Sequence, residues 1–583
     1  MPMTETWITD FRPAAAHCPG TKLIPYRLNG REGYMLRWLR TDVPIVPVPS
    51  PASGWHEIHL GFWGACGLRL RLSNEPWFRW VESTVRWDGG PDDGEEAFWK
   101  VANLSGVAFE MLPSPLERRH DQRLSQIAYL RLVPLTEDEA RTRTEKSRPT
   151  RTAGAVIDGH EMLGAFCPQT PDEVRGLIAP FIESDFKRLH WGCTCTTMRM
   201  VYLSRVGMYL GQDQPIEFLH SEHNRRCARA LQKADRDGYD PLHLLIDFAA
   251  EHDMELWTDF RIQQDYPLDY AGGFGQDFNS PFAAAHPEWR HVDRHGRVCS
   301  HLFSHFHPEW EQYKLDLLAE LAGYGPAGIH LNLMCEAGVL WDFAPHAVTE
   351  FKKQYGIDPL AHDTLPLEWY QFRCDHLTAF MRRLRLQTDR IAAKLGKSIP
   401  IAVQVSGDWT PLTDRERGAI AVSQNFLNGF DLGRWARERL VDIISPSFRR
   451  EYRPMFLDHL WEELGEGRAY VQLMPSVGQH HNAVFPAGYD WSVYFTDTGA
   501  ERRDLKPFGE LDAWRVLQEA HNLYQQGADA VDVWEMGEAP NRLARWNVLK
   551  QIGDHEMLVR EFGTRIGPLM GYVTHPLRFA CRS

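Results

Sequence analysis

From about residue 155 the chain alternates short apolar runs with amphipathic helical patterns, eight times over some 420 residues. The runs read MLGAF (162–166), RLHWGC (188–193), ELWTDFRI (255–262), GIHLNLM (328–334), IPIAVQV (399–405), VDIISPSF (441–448), AYVQLMP (469–475) and AVDVWEM (530–536). Between most of them, segments such as DPLHLLIDFAAEHD and ELDAWRVLQEAHNLYQQG carry the 3.6-residue apolar spacing of helices. TPDEVRGLIAPFIES opens on a Thr N-cap candidate with acidic residues in its first turn. Strand-then-helix units repeated eight times predict an α/β fold, a (β/α)8 TIM barrel with long inserted loops over residues 154–583. The alternative is an open doubly wound sheet. That fold usually announces a phosphate-binding glycine loop, and no G-x-G-x-x-G opens a helix here.

The amino-terminal part follows a different pattern. WHEIHLGFWG, GLRLRLSN, FRWVESTVRW, EAFWKVANL, VAFEML and IAYLRLVPL are short alternating runs separated by Gly, Pro, Asn and Asp. They predict an all-β, sandwich-like accessory domain over residues 1–135. Residues 136–153, charged and poor in apolar side chains, read as an exposed linker. Trp77, Trp80 and Trp87 lie in one alternating stretch, but Trp80 has the opposite parity to the other two, so they need not form one sugar platform. A packing role for this domain is the preferred expectation.

In a barrel the chemistry sits at the carboxyl ends of the strands and in the loops that follow. Those positions hold Trp191 and Thr194, then Asp259 and Arg261, then His330, Asn332 and Glu336. Further along come Gln404, Ser406 and Asp408, then Ser447 and Arg449, then Gln472, and finally Asp532, Trp534, Glu535 and Glu538. Carboxylates, amides, Trp and Arg converging on one mouth suit a sugar better than a phosphate or a hydride. Twenty-one Trp and 26 His in one chain point the same way, since indole faces stack on sugar rings while polar neighbours take the hydroxyls. Each residue also has a plain structural reading. Asp259 and Arg261 share a strand face and can simply pair, and Asp532 can be a buried hydrogen bonder.

Cleaving a glycosidic bond takes two carboxyl groups, one protonated to assist departure and one ionised to attack or to activate water. Glu336, in a small-residue loop after a strand, is the first candidate for the acid, with Glu535 or Asp259 as nucleophile or base. Trp191, Trp257 and Trp534 are expected as platforms. Arg261, His305, His330, Asn332, Gln404, Asp408, Arg449, Gln472 and Glu538 are expected to bind hydroxyls. His301, His305 and His307 have spacing that suits zinc on a helix, but Pro308 keeps His307 out of the helical region, so no metal is expected. Cys193 and Cys195 form a C-x-C with no second pair at zinc-ribbon spacing.

The stretch HPEWRHVDRHGR (286–297), followed by HPEWEQYKLDLLAELAGYGPAGIHLN (307–332), resembles a group of hypothetical glycoside hydrolases described as glycosidase-like TIM barrels. Their pattern runs as HP-W---D--G, a second hPEV, a helix with Glu–Leu, and a strand ending DGIHLD. The resemblance covers about 50 residues closely and, through strand order, some 400 loosely. It implies a barrel acting on an oligosaccharide or polysaccharide, with the β-sandwich as an accessory. Two positions depart from it: the DG is Ala327–Gly328 here, and the strand-end Asp is Asn332. An amide is a poor nucleophile and does not ionise, so any role of that Asp in relatives passes to other carboxylates, or the chain only binds.

The formal charge of −14 argues against nucleic acid and anionic membranes, both of which need clustered cations. The start MPMTETWITDFRP lacks a basic region followed by an apolar run, and the ten Cys show no framework spacing, so a cytoplasmic location with reduced thiols is expected. A carbohydrate is the expected partner, no cofactor is expected, and a homo-oligomer is left open. A metal-dependent hydrolase built on the His301–His307 region, and a carbohydrate-binding pseudoenzyme, are the alternative functions.

Overall fold

A computed structural model describes the chain except residues 1–3, 17, 84–93, 115–123, 147–148, 195–198, 263–273, 280, 334–342, 362–364, 408, 415–417, 448–456, 479–512, 535, 538 and 564–583. A closed ring of eight parallel strands dominates it. These are β1 (Ala153–Ile157), β2 (Phe186–Gly192), β3 (Glu255–Arg261), β4 (Gly328–Asn332), β5 (Ile401–Ser406), β6 (Ile443–Ser447), β7 in two short pieces (Gln472–Leu473 and Ser476–Gly478), and β8 (Asp532–Trp534). Each pairs in parallel with the next, and β8 returns to β1 through Gly154 opposite Asp532. The ring has no edge strand.

Alternation along each strand divides the side chains between two environments. Ile401, Val403 and Val405 face outward into the apolar layer shared with the helices. Ala402 and Gln404, one residue out of phase, face the bore. The helices that cover the ring include α1 (Gly159–Phe166), α2 (Glu222–Asp237), α3 (Pro308–Gly323), α4 (Leu367–Leu395), α5 (Ala513–Gln525) and α6 (Leu543–Leu549). Their starts are set locally. Asp158 accepts from the backbone of His160 and Glu161 at the start of α1, and Ser221 does so from Asn224 at the start of α2. Among the described residues no helix is long and apolar enough to cross a membrane.

One expectation for local structure is corrected. MLGAF belongs to α1, and the first strand is AGAVI just before it. A short apolar run does not separate strand from buried helix by periodicity alone, and the Asp158 cap decides it. Within the expected linker, Glu137–Lys146 is a helix. Thr136 and Glu139 form a reciprocal capping box there, with each side chain accepting the other's backbone N–H.

The amino-terminal strands form antiparallel sheets around their own core. One four-stranded sheet orders Thr6–Ile8, Tyr129–Pro134, Trp55–Trp63 and Gly94–Asn103; another orders Val46–Pro49, Ala108–Pro113, Gly67–Leu72 and Arg79–Glu82. Ile58 and Leu60 of the first share a core with Val48, Leu68 and Leu70 of the second. Leu543 of α6 joins that core, and Asn547 of α6 donates to the Phe98 carbonyl at 2.8 Å. Trp77 meets Phe248 edge-on at 5.2 Å, and Trp80 meets Phe166 at 4.5 Å. Both indoles therefore pack against the barrel, while Trp87 lies outside the described residues.

Candidate active site

The bore is filled in three layers, and the composition changes sharply between them. At the amino-terminal end Trp257 packs with Ala402, Ile443, Met474 and Ala530. Its ring lies against Gly328, where any Cβ would collide with the indole. Arg188 borders this end, donating to Gln472 Oε1 at 3.3 Å and lying 3.6 Å from Glu255. Trp257 and Gln472 are therefore at the end of the barrel opposite the mouth, where they plug and line the bore's floor. Both are expected at the mouth from the sequence, but the first residues of a strand lie at the far end from its loop.

The middle layer is polar, where barrels of this kind usually carry branched aliphatics. His190 Nε2 lies 3.0 Å from Asp532 Oδ1, and His330 Nδ1 lies 2.5 Å from Asp259 Oδ1. Ser445 Oγ reaches Asp532 Oδ2 at 2.9 Å and Ser476 Oγ at 2.8 Å. Gln404 Nε2 donates to Ser447 and Ser476, each at 3.1 Å. The two imidazoles lie against each other with centroids 4.3 Å apart. Glycine at 154 makes room for this layer, since a Cβ there would run into Asp532 and Met474. Burial pushes the His190 imidazole down, against the pull of Asp532 and with the push of His330, and it ends below its usual value. Burial pushes the Asp532 carboxyl up, but His190 above all outweighs that and leaves it below its usual value.

At the mouth end stand Asp158, Arg261, Asn332 and Trp534, each at or just past the end of a strand. Arg261 Nη2 meets Asp158 Oδ2 at 2.8 Å, so Arg261 pairs across to β1 and not with Asp259 on its own strand. Burial raises the Asp158 carboxyl, and Arg261 followed by His160 brings it below the ordinary range. Behind Asp158, His160 Nε2 meets Asn224 Oδ1 at 2.8 Å, and Asn224 Nδ2 donates to Asp277 Oδ2 at 2.6 Å. Asp277 also takes the His220 backbone N–H and imidazole Nδ1, each at 2.8 Å. This chain ties together the segments that follow β1, β2 and β3. Burial, reinforced by His223, pushes the His160 imidazole down to about 3, so it is neutral at ordinary pH.

Other expected site residues fall elsewhere. Trp191 points outward into the layer between strands and helices, with its Nε1 against Gly159. His305 is buried beside α3, where Lys314 Nζ lies 2.7 Å from its Nδ1, and burial with that ammonium drives the imidazole well down. Its carbonyl takes a bond from His376 of α4 at 2.8 Å, so His305 anchors its loop between two helices. Glu336, Asp408, Arg449, Glu535 and Glu538 lie outside the described residues, as do Cys195 and the His301 side chain. Among the described residues no group of three His, Cys, Asp or Glu side chains is placed to hold a metal ion. His190 and Asp158 went unnoticed in the sequence. His190 sits mid-strand in RLHWGC, and Asp158 follows AGAVI, which is not among the eight runs marked as strands. An inward-parity His in a barrel strand is the signal for the first.

No family model matches the chain, and no curated protein does. Solved structures do. The α-L-fucosidase isoenzyme 2 from Paenibacillus thiaminolyticus is 12% identical over 70% of this chain and 49% of its own, with a TM-score of 0.39. The PgaB (BpsB) glycoside hydrolase domain from Bordetella bronchiseptica is 10% identical over 69% of this chain and 98% of its own, with a TM-score of 0.42. The catalytic domain of β-amylase from Paenibacillus polymyxa is 9% identical over 72% and 100%, with a TM-score of 0.37. This chain thus spans about half the length of the fucosidase. At such values the closed ring rests on its own strand pairing, and the neighbours are what the chain is similar to.

Proposed function

We propose that this protein is a glycoside hydrolase acting on an oligosaccharide or glycoside, with Glu336 as the general acid and Glu535 as the partner carboxylate. The observation that carries this reading is that β4 and β8 end at the same rim of a closed ring, in Asn332 and Trp534. Glu336 follows Asn332 by four residues, and Glu535 follows Trp534 directly. In this reading both carboxylates act at that mouth, where Arg261, Asn332 and Trp534 supply polar and aromatic contacts for a sugar. Of the two partners considered for Glu336, Asp259 is committed to His330 inside the bore, which favours Glu535. In this reading Asp408, Arg449 and Glu538 also bind the substrate.

The test is a panel of aryl glycosides and natural oligosaccharides with the full chain. Once a substrate is found, Glu336→Gln and Glu535→Gln each lower kcat/KM by roughly 100-fold or more, as loss of an acid–base group does. Wild-type rates in both variants remove the assignment. A second reading, a carbohydrate-binding pseudoenzyme, is favoured by Asn332 at the position where the resembling motif carries Asp. Glycan binding with no turnover across the panel selects it.

A further inference from the structure

Two carboxylate-backed imidazoles lie against each other in the middle of the bore. Asp532 is bonded to His190 Nε2 and Asp259 to His330 Nδ1, and the rings are 4.3 Å apart at a 39° tilt. All four side chains are at most 2% exposed. The remaining ring nitrogens, His190 Nδ1 and His330 Nε2, have no hydrogen-bond partner among the described residues.

This arrangement constrains its own charge. With both imidazoles neutral, two ionised carboxylates stand uncompensated in a dry interior. With both protonated, two cations press together at ring-contact distance, which each disfavours for the other. Among the described residues no neighbouring cation resolves the conflict. Below, Arg188 lies against Glu255, and above, Arg261 is taken by Asp158. Among the described residues the other contacts of the array are neutral, the Ser445 hydroxyl at Asp532 and Trp257 edge-on to His190, while Tyr524 and Cys193 lie in the outer layer.

We propose that His190 and His330 share a single proton beneath the mouth, each oriented by its own aspartate, and act as positioning residues for the chemistry of that mouth. The second half rests on the glycosidase reading of the rim; the first does not. A shared proton makes the two rings one titrating unit with two macroscopic steps.

The experiment is an NMR titration of the full chain carrying labelled histidine, from neutral into acid. The two ring signals are recognised by their mutual proton contact, with no variant needed, and are checked by His190→Gln and His330→Gln. The expected result is a two-step titration seen by both rings. In either variant the remaining imidazole takes up its proton in one step, at least about tenfold more tightly than the second step of the wild type. Independent single-site curves, or rings that stay neutral until the fold is lost, overturn the shared proton. Should neither variant fold, the shape of the wild-type curves decides. On a glycoside that the protein cleaves, His190→Gln shifts the pH–rate profile; a uniform loss of rate at every pH overturns the positioning role. A coupled titration without any turnover keeps the proton pair and removes the glycosidase reading.

Discussion

The Nδ1 of His330 lies 2.5 Å from Oδ1 of Asp259, and this bond joins paired residues of the neighbouring strands β4 and β3 one layer beneath the mouth. It ties Asp259 to a partner inside the bore, below the strand ends at the mouth. Asp259→Asn keeps an acceptor for the imidazole while removing the charge. The expected outcome is a folded protein whose turnover of a glycoside falls by less than about tenfold, against roughly 100-fold or more for Glu535→Gln. Steady-state kinetics of the two variants side by side check it. An Asp259→Asn loss as large as that of Glu535→Gln returns Asp259 to the reacting centre.

Two glycines make opposite predictions for stability. A Cβ at Gly154 runs into Asp532 and Met474 inside the bore, so Gly154→Ala should destabilise by about 1–3 kcal/mol through overpacking. Gly323 closes α3 with ordinary helical torsions and nothing within 4 Å of the position a Cβ would take. Gly323→Ala should stabilise by up to about 1 kcal/mol, since alanine loses less backbone freedom in a helix. Urea unfolding midpoints of the two variants read both signs.

Acid should loosen the segment behind Asp158. His160 is held neutral in the fold down to about pH 3, whereas the unfolded chain takes up that proton near its usual value of 6.5. The unfolded state therefore binds more protons between those limits. The contribution of His160 is fully present above 6.5 and is lost as pH falls towards 3. The slope attributable to this one group is at most about 1.4 kcal/mol per pH unit. His160→Gln, whose side-chain amide can still donate to Asn224, should lose less stability than the wild type between neutral and mildly acid pH. Denaturant midpoints at two pH values measure the difference, and identical slopes would sink the assignment.

The ring was legible because eight apolar runs alternate with helical spacing, and most runs fall within two residues of the strands they predict. β1 was not, since AGAVI is short, ends in a helix cap and precedes a more apolar helix. β7 breaks at Met474–Pro475, where Pro475 has no backbone N–H to give the ladder. Reading the strand ends picked out Asp259, His330, Asn332, Gln404 and Asp532 for the mouth, and the structure places most of them deeper, in the bore's middle layer. It gave no height within the bore, which is why Trp257 and Gln472 were expected at the mouth. Height depends on where strands register against their neighbours, and no single strand carries that information. Trp191 shows the remaining ambiguity: an aromatic at a strand end reads alike whether it faces sugar or helix.

Attachment of the amino-terminal sheets to the barrel yields the last prediction. Leu543 leaves the barrel's helical layer to sit fully buried among Phe62, Leu70 and Trp99 of the sandwich core. Trp77 and Trp80 cover Phe248 and Phe166 from the other direction. Large aromatics used in this way are not available as glycan platforms, so the unit should behave as a packing partner. Leu543→Ala should cost about 2–5 kcal/mol, the range for a buried leucine that leaves a cavity. Because the residue bridges two cores, calorimetry should show that loss as a separation of one transition into two. Removing residues 1–135 exposes Phe166, Phe248 and Leu543 together, and the expected product is insoluble. A soluble barrel that keeps its turnover of small glycosides, yet binds polysaccharide more weakly, would instead make those sheets a glycan-binding module.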